Sequence, residues 1–271
     1  MSQLRQPLSV TSSPVTRALR EGKVCVGALS ITYPTPATAQ IAAEAGFSWF
    51  YFDMEHSGLA THQVEAVCTA AKFSGIVPIA GTTSLADFLV ARPLDNGAMG
   101  IIVPHVSTRQ ETELVVKSAR YAPVGSRGMA GYGAHSEYRT IDLQDWVETM
   151  NREILVSVKV ETAQGVANIE EIASVPGLDA ILIGPSDLST SLGIPGQYGH
   201  VRLREAIGRI LEACRKNGIA GGPHVSTAEA VQEWADRGAT FMSCGFDGEL
   251  LLRGFKQLRE RVHHLLGDRV L

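Results

Sequence analysis

The 271-residue sequence contains only four cysteines, Cys25, Cys68, Cys214 and Cys244, and no two of them form a CxxC pair. This spacing excludes a CxxC redox or zinc motif and favours buried free thiols. No apolar run approaches the roughly 20 residues that span a membrane, and the N-terminus lacks the apolar core of a signal peptide. A net charge of −4 with scattered basic residues gives no sign of nucleic acid as a partner. We therefore expect a cytoplasmic protein with neither a membrane nor a nucleic-acid partner.

Eight short apolar runs recur along the chain and predict eight strands. Stretches with helical periodicity, such as residues 61–75, lie between most of them. The runs are residues 23–30, 49–54, 77–81, 100–106, 154–161, 180–184, 219–225 and 240–246. Eight strands alternating with helices favour an α/β fold of the (β/α)8 TIM barrel type over an open sheet. No GxGxxG motif opens a helix after the first strand, which argues against a dinucleotide-binding sheet.

The chain divides into a short arm and one domain. Residues 1–14 are polar with serine and proline, and they predict a flexible N-terminal arm. Residues 15–271 predict a single (β/α)8 barrel domain. Residues 121–152 interrupt the alternation between the fourth and fifth strands, and their start is rich in glycine, alanine and aromatic residues. We expect this segment on the catalytic face, either as a lid or subunit contact or as a plain surface excursion.

Two neighbouring predicted strands each deliver a carboxylate at or just past their carboxyl ends. Glu161 ends the run ILVSVKVE, and Asp187 follows LDAILIG in the sequence GPSDLS. Parallel neighbours place these ends side by side, and two carboxylates suit a divalent cation such as Mg²⁺ or Mn²⁺. The alternative for Asp187 is a cap on the following helix.

Histidines and further acids occur near other strand ends. They are Asp53, Glu55 and His56 at the end of the second strand, Asp95 just before the fourth, His105 at the end of the fourth and His224 at the end of the seventh. His56 beside two acids can act as a general base, although such clusters are also common in solvated loops. Asp95 either supports a histidine or ends a helix. We interpret the single histidines, His105 and His224, as structural.

Lys159 stands two residues before Glu161, so both side chains point to the same side of the strand. A buried lysine is costly unless it is paired, and we expect an ion pair with Glu161, Asp187 or Glu55. A lysine held in this way can act as an electrophile or, with a lowered pKa, form a Schiff base.

Together these residues resemble the HpcH/HpaI aldolase family, metal-dependent class II pyruvate aldolases of the phosphoenolpyruvate/pyruvate barrel superfamily. The similarity runs from about residue 22 to residue 262. Five motifs carry it in order: FDMEH (52–56), ARPLDNGAMGIIVPHV (91–106), RYAPVGSRG (120–128), the stretch 159–189, and GATFMSCGFD (238–247).

The resemblance implies retro-aldol cleavage of a 4-hydroxy-2-oxo acid to pyruvate, or a related oxo acid, and an aldehyde. It implies that Glu161 and Asp187 bind a divalent cation, Mg²⁺, Mn²⁺ or Co²⁺, which acts as a Lewis acid. His56, assisted by Asp53 and Asp95, would transfer the proton. The substrate carboxylate would bind at the turn formed by Gly184, Pro185, Ser186 and Asp187.

Two positions depart from the family pattern. Gly81 stands where the family has an arginine that stabilises the enolate oxygen, and Lys159 stands where it has a glutamine. We expect Lys159 to take over part of the arginine's role, and Gly81 to leave open space beside the site. Alternatives are another enolate reaction (a citrate-synthase-like condensation or a decarboxylation), a Schiff-base enzyme, or a non-catalytic barrel that binds metal and oxo acid.

The resemblance also implies a homo-oligomer, a hexamer or another even-numbered assembly, whose C-terminal helix is exchanged between subunits. Residues 248–266 have the apolar stripe and basic face of such a helix, which could equally pack on its own barrel.

Overall fold

The computed structural model describes residues 5–269, apart from the side chains of Asp87 and Asp268. Eight parallel strands close into a barrel in the order β1 to β8. They are β1 (Cys25–Ser30), β2 (Trp49–Asp53), β3 (Val77–Gly81), β4 (Gly100–Val103), β5 (Leu155–Val160), β6 (Ala180–Ile183), β7 (Ala220–Val225) and β8 (Phe241–Phe246). Each lies within three residues of its predicted bounds, and the predicted (β/α)8 barrel is confirmed.

Helices surround the barrel. They are α1 (Pro14–Arg20), α2 (Pro36–Glu44), α3 (Thr61–Phe73), α4 (Asp87–Asp95), α5 (Arg109–Ala119), α6 (Leu143–Glu153), α7 (Ala163–Ala167), α8 (Ile169–Ala173), α9 (Pro185–Ser191), α10 (Val201–Lys216), α11 (Ala228–Asp236) and α12 (Asp247–Leu266), with 3-10 turns at Ala134–Ser136 and Gly267–Arg269. Threonine hydroxyls accept a backbone N–H at the start of α2, α5, α7 and α11. These caps fix where the chain turns from a strand end into a helix.

The apolar core has two layers. Inside the barrel, side chains such as Trp49, Tyr51, Ile79, Leu155 and Phe241 pack together, and a second, larger layer lies between the strands and the helices. Because side chains alternate along a strand, Leu155 facing inward places Lys159 inward as well. The barrel interior is therefore apolar at its floor and charged at the mouth where β5 ends.

The segment before α1 lies against the barrel. The Leu8 N–H donates to the Lys72 carbonyl at 2.9 Å, and an Arg5 guanidinium N–H donates to the Phe47 carbonyl at 2.7 Å. Residues 1–4 of the expected arm, and residues 270–271 of the expected domain, lie outside the described residues. Within residues 5–269, no helix is both long enough and apolar enough to cross a membrane.

The expectation that residues 121–152 cover the catalytic face is wrong. This segment follows α5, not β4. A helix that follows a parallel strand returns the chain to the end of the barrel where strands begin, so the segment starts at the end opposite the catalytic face. There Arg127 pairs with Asp95 at 2.6 Å.

Candidate active site

Glu161 and Asp187 meet where β5 and β6 end. The two strands pair in parallel, with Val160 opposite Ile183, so the residues that follow them share one edge of the mouth. Glu161 is only 2% exposed, and Asp187 lies in the first turn of α9. Burial raises the pKa of Glu161 and the negative charge of Asp187 adds to that rise, while Lys159 and His105 oppose it. The exposed Asp187 side chain therefore lies near enough to the buried Glu161 carboxylate for its charge to act on it.

The surroundings of Glu161 fit a bound cation. A Cβ on Gly184 would lie 2.7 Å from the Oε2 oxygen of Glu161, closer than carbon and oxygen can approach. Glycine at this position therefore keeps the oxygen unobstructed. Two hard carboxylate oxygens in a partly buried site are the ligand type that Mg²⁺ and Mn²⁺ prefer, so the donor set fits such an ion.

A second group of possible metal ligands lies across the mouth. One ligand atom each from Asp53, Glu55 and His56 lies within 4.8 Å of the others. However, the Oδ1 oxygen of Asp53 already accepts the N–H groups of Glu55 and His56, at 2.7 and 2.8 Å. Glu55 is engaged by a lysine and two histidines. His105 likewise holds the Oε1 oxygen of Glu161. Within residues 5–269, however, no hydrogen bond reaches its Oε2 oxygen, whose neighbour Lys159 lies 3.9 Å away, so the Glu161 and Asp187 pair is the better cation site.

Lys159 points into the mouth as predicted. Its Nζ lies 3.6 Å from Glu55 Oε2 and 3.9 Å from Glu161 Oε2. Burial by itself lowers the pKa of Lys159, but Tyr51 and the carboxylates of Glu161, Asp53 and Glu55 outweigh that effect and raise it. The side chain is therefore an ammonium group at neutral pH. An ammonium group can stabilise a negative charge that develops nearby. Because its nitrogen is protonated, it is a poor nucleophile for forming a Schiff base.

The space beside Gly81 is not empty, contrary to the expectation from the sequence. A Cβ on Gly81 would lie 2.5 Å from the Cε2 atom and 2.8 Å from the hydroxyl oxygen of Tyr51. The phenol ring of Tyr51 occupies this space, because glycine provides no side chain to exclude it. Tyr51 carries no catalytic motif in the sequence and looks like an ordinary core residue of β2.

His105 is a site residue that sequence reasoning missed. Its Nε2 lies 2.6 Å from Glu55 Oε1 and its Nδ1 lies 3.1 Å from Glu161 Oε1. The backbone of His105 has a φ of 60°, a left-handed conformation that is unusual outside glycine and is typical of functional sites. The position after Pro104 at a strand end was the only signal in the sequence.

The structure brings together only part of the group predicted to transfer the proton, which is His56 with Asp53 and Asp95. The imidazole Nε2 of His56 lies 3.5 Å from Glu55 Oε2, whereas Asp53 binds the backbone N–H of His56 and is 2% exposed. Asp95 ends α4 at the opposite end of the barrel, where it binds Arg127. No hydrogen bond or ion pair joins Asp95 to His56 in the described part of the chain.

Two further polar groups complete the mouth. The Nδ1 of His224 lies 2.8 Å from the Ser243 hydroxyl oxygen. Burial and the charge of Lys159 lower the pKa of His224 to about 4, so the imidazole is neutral at pH 7. At the turn into α9, the Ser186 hydroxyl lies 3.1 Å from that of Tyr198. Among the described residues, no side chain caps the start of this helix.

Comparison with known proteins places this chain in a family. The profile of the HpcH/HpaI aldolase/citrate lyase family matches residues 31–254. The chain is 32% identical over 263 residues to a hydroxypyruvate/pyruvate aldolase of Paraburkholderia phytofirmans, covering 94% of this chain and 99% of that protein. It is 33% identical over 235 residues to a 4-hydroxy-4-methyl-2-oxoglutarate aldolase of Chaetomium globosum, covering 85% and 87%.

A solved structure agrees with the sequence relatives. The crystal structure of an HpcH/HpaI aldolase from Desulfitobacterium hafniense superposes with a TM-score of 0.87 at 29% identity, covering 93% of this chain and 97% of that one. The barrel that carries the candidate site therefore has the same fold as that aldolase. The chain belongs to the HpcH/HpaI aldolase/citrate lyase family and is a carbon–carbon lyase of the aldolase type.

Proposed function

We propose that the protein cleaves a 4-hydroxy-2-oxo acid to pyruvate, or a related oxo acid, and an aldehyde, using a divalent cation held by Glu161 and Asp187. The observation that carries this proposal is the buried Glu161 carboxylate, whose Oε2 oxygen is kept unobstructed by Gly184 and whose pKa responds to the charge of Asp187. Mg²⁺, Mn²⁺ and Co²⁺ all accept such ligands. A cation bound there supplies Lewis-acid polarisation of the 2-oxo group.

Side chains of the protein carry out the remaining steps of the proposed cleavage. His56 removes the proton from the 4-hydroxyl group as the C3–C4 bond breaks to give the aldehyde and an enolate, and it returns the proton to C3 of the enolate to form the oxo acid. Glu55, 3.5 Å from the imidazole, orients the ring. Asp53 fixes the loop that carries His56 through the two N–H groups it accepts. Asp95 lies at the opposite end of the barrel, paired with Arg127, so we assign it no part in the proton transfer at His56 of the same chain.

Lys159 places a positive charge beside the reacting oxygen. Its ammonium group lies within 4 Å of the cation ligand Glu161, in a buried setting where a fixed charge acts more strongly than in water. It therefore stabilises negative charge that develops on the 2-oxo oxygen. The substrate carboxylate binds the turn Gly184–Asp187, where the N–H groups of Ser186 and Asp187 begin α9 without a side-chain cap.

The named relatives favour one type of reaction and indicate which donor oxo acids to test first. Both named sequence relatives are aldolases, which favours aldol cleavage over condensation or decarboxylation. One of them is named for hydroxypyruvate and pyruvate and the other for a branched 4-hydroxy-2-oxo diacid. We therefore place pyruvate and hydroxypyruvate first among the donor oxo acids to be tested.

A panel of 4-hydroxy-2-oxo acids, assayed for release of the oxo acid before and after treatment with a chelator, tests the proposal. We expect cleavage that a chelator abolishes and that added Mg²⁺, Mn²⁺ or Co²⁺ restores. Activity that survives chelation and is trapped by borohydride would instead indicate a Schiff base at Lys159. Binding of cation and oxo acid without turnover on any substrate would identify a binding protein.

We also propose that the protein is an even-numbered homo-oligomer, such as a hexamer, in which α12 packs on a neighbouring subunit. Four apolar side chains of α12, Leu251, Leu252, Phe255 and Leu258, are between 47% and 66% exposed in the single chain. A contiguous exposed apolar face marks a protein interface. The cysteines are free thiols, which suits the reducing cytoplasm that we propose as its location.

A further inference from the structure

A small cavity lies at the end of the barrel where the strands begin, beneath β4 and β5. It measures about 20 Å³. Its lining comes from α3, α6, the turn before β4 and the segment that follows α5, and it includes Lys72, Gly97, Arg127, His135 and Trp146. A space of this size holds one group about as large as a water molecule. The cavity therefore excludes an oxo acid and admits a single small ion or water.

Two buried N–H donors of this lining lack an acceptor. The Arg127 side chain is 1% exposed, and its Nε and Nη2 groups donate to Asp95. Its third nitrogen, Nη1, and the indole Nε1 of the buried Trp146 have no hydrogen-bond partner within the described part of the chain. A buried N–H without an acceptor is costly, and in a native protein such a group indicates a bound ion or an ordered water.

Lys72 adds a second buried positive charge to the lining. Its side chain is 5% exposed, and its Nζ lies 3.5 Å from Glu137 Oε1. A Cβ on Gly97 would lie 3.3 Å from this Nζ, so the ammonium group lies close to the turn that forms one wall of the cavity. An ammonium group has three hydrogens to donate. One ion pair therefore leaves donors for a further acceptor.

The remaining polar groups of the lining do not balance these charges. Glu153 lines the cavity, but its carboxylate accepts the Ser13 N–H and pairs with Arg17 and Arg152. Burial lowers the pKa of His135, so its imidazole is neutral at pH 7, and its Nε2 donates to the Ala130 carbonyl. Two cations and two unpaired donors therefore face one acid that already has two arginine partners.

We propose that this cavity binds one monatomic anion, such as chloride, through the guanidinium group of Arg127, the indole N–H of Trp146 and the ammonium group of Lys72. All three groups are donors without an acceptor atom, and an anion accepts from each of them, whereas a water brings two further hydrogens. The anion joins α3, α6 and the segment after α5, so its binding stabilises the folded protein. The site lies opposite the candidate active site, and the inference does not depend on the proposed function.

Thermal unfolding of the full-length protein tests the site in solution. Sodium chloride replaces sodium gluconate at constant ionic strength, because gluconate is too large for the cavity. We expect the melting temperature to rise by roughly 3 °C for each tenfold increase of chloride above its dissociation constant. Bromide, an ion of similar size, should act in the same way. A melting temperature that is equal in chloride and in gluconate would overturn the inference.

Trp146→Phe removes one proposed donor and keeps an aromatic ring. We expect its dissociation constant for chloride to rise about tenfold, as the loss of a hydrogen bond to a charged group does. Trp234→Phe makes the same change in α11, away from the cavity, and should keep the wild-type chloride dependence. The readout is the response to chloride and not the melting temperature itself. An equal response in both variants would contradict the site.

Diffraction from wild-type crystals in sodium bromide gives a readout that needs no variant. We expect an anomalous bromide peak in the cavity, in contact with Arg127 Nη1 and Trp146 Nε1. An ordered water there, with no anomalous signal at a bromide concentration that saturates the melting temperature, would overturn the inference. A bromide peak with no effect of chloride or bromide on the melting temperature would show binding at crystal concentration only, and it would overturn the inference as well.

Discussion

The Oε1 oxygen of Glu161 is held twice by His105, through the backbone N–H at 2.9 Å and through the imidazole Nδ1 at 3.1 Å. The other imidazole nitrogen lies 2.6 Å from Glu55 Oε1. The backbone of His105, just after β4, is left-handed with a φ of 60°. One residue thus joins the second, fourth and fifth strands around the carboxylate that we propose as a cation ligand.

Substitution of His105 separates its backbone role from its side-chain role. Asparagine tolerates the left-handed conformation, whereas a β-branched valine does not, so His105→Val should unfold more easily than His105→Asn by about 1 kcal/mol. Urea denaturation measures this difference. Both variants lose the imidazole bridge, and we expect kcat to fall about tenfold in each, as loss of a group that orients a metal ligand does. Equal free energies of unfolding in the two variants would contradict strain in the backbone at position 105.

Asp247 ties the start of α12 to the loop after β1, and its loss should destabilise the barrel. Its carboxylate accepts the Ser30 hydroxyl at 2.7 Å and the N–H groups of Ile31, Thr32 and Tyr33. Asp247→Ala should lower the free energy of unfolding by about 2 to 3 kcal/mol. Asp236→Asn, at the end of α11, is a matched control, and denaturant titration should find it near the wild type.

The contribution of Asp247 should also depend on pH. Burial raises its pKa, but the Ser30 hydroxyl and the loop N–H groups outweigh this and lower it overall. A lowered carboxyl pKa stabilises the folded state above the ordinary aspartate pKa, and that stability is lost as the pH falls through the folded value. The gap between wild type and Asp247→Ala should therefore narrow in acid. A gap that stays constant from pH 7 to pH 2 would contradict this.

His224 should make the protein sensitive to mild acid. Burial and Lys159 lower its pKa from 6.5 to about 4, so between these values the unfolded chain binds a proton that the folded protein does not. Stability should therefore fall as the pH drops from 6.5 to 4, by on the order of 1.4 kcal/mol for each unit of pKa difference. Denaturation curves of the wild type and His224→Asn across this range should diverge. Parallel curves would show that the imidazole is not held neutral.

Charged side chains placed on the apolar face of α12 should dissociate the proposed oligomer. Leu251→Glu with Leu258→Glu puts two carboxylates where we propose a neighbouring subunit, and light scattering after gel filtration should find a smaller species. Lys256→Glu changes the charge of the same helix as a control. A double variant with the same molar mass as an oligomeric wild type, or a monomeric wild type, would contradict the proposed interface.

The sequence was sufficient to predict the barrel because its signals are local. Strand runs and the period-two alternation identify the eight strands, and they place Lys159 on the inner face beside Glu161, as the structure confirms. The expected placement of residues 121–152 is wrong because α5 lies between β4 and this segment. A segment that follows a strand lies at the catalytic end of the barrel, and a segment that follows a helix lies at the opposite end. The presence of α5 therefore decides at which end residues 121–152 begin.

The arrangement of side chains at the mouth of the barrel depends on contacts between strands that are far apart in the sequence. Nothing near His105 in the sequence indicates its left-handed backbone or the two carboxylates that it bridges, since they come from β2 and β5. The absence of a side chain at Gly81 suggested open space, and only the packing reveals that Tyr51 from the neighbouring strand fills it. Asp95 appeared close to the site in sequence and lies at the opposite end of the barrel because α4 runs back along it.

The central claim is that the cation held by Glu161 and Asp187 enables the carbon–carbon cleavage. Its most direct test is oxo-acid release by chelator-treated protein titrated with Mn²⁺, for the wild type, Glu161→Gln and the exposed control Glu170→Gln. We predict saturable recovery in the wild type and the control, and a loss of at least about a hundredfold in Glu161→Gln, because a metal ligand matters more than the groups that orient it. Full recovery in Glu161→Gln, or cleavage that never required the cation, would contradict the claim.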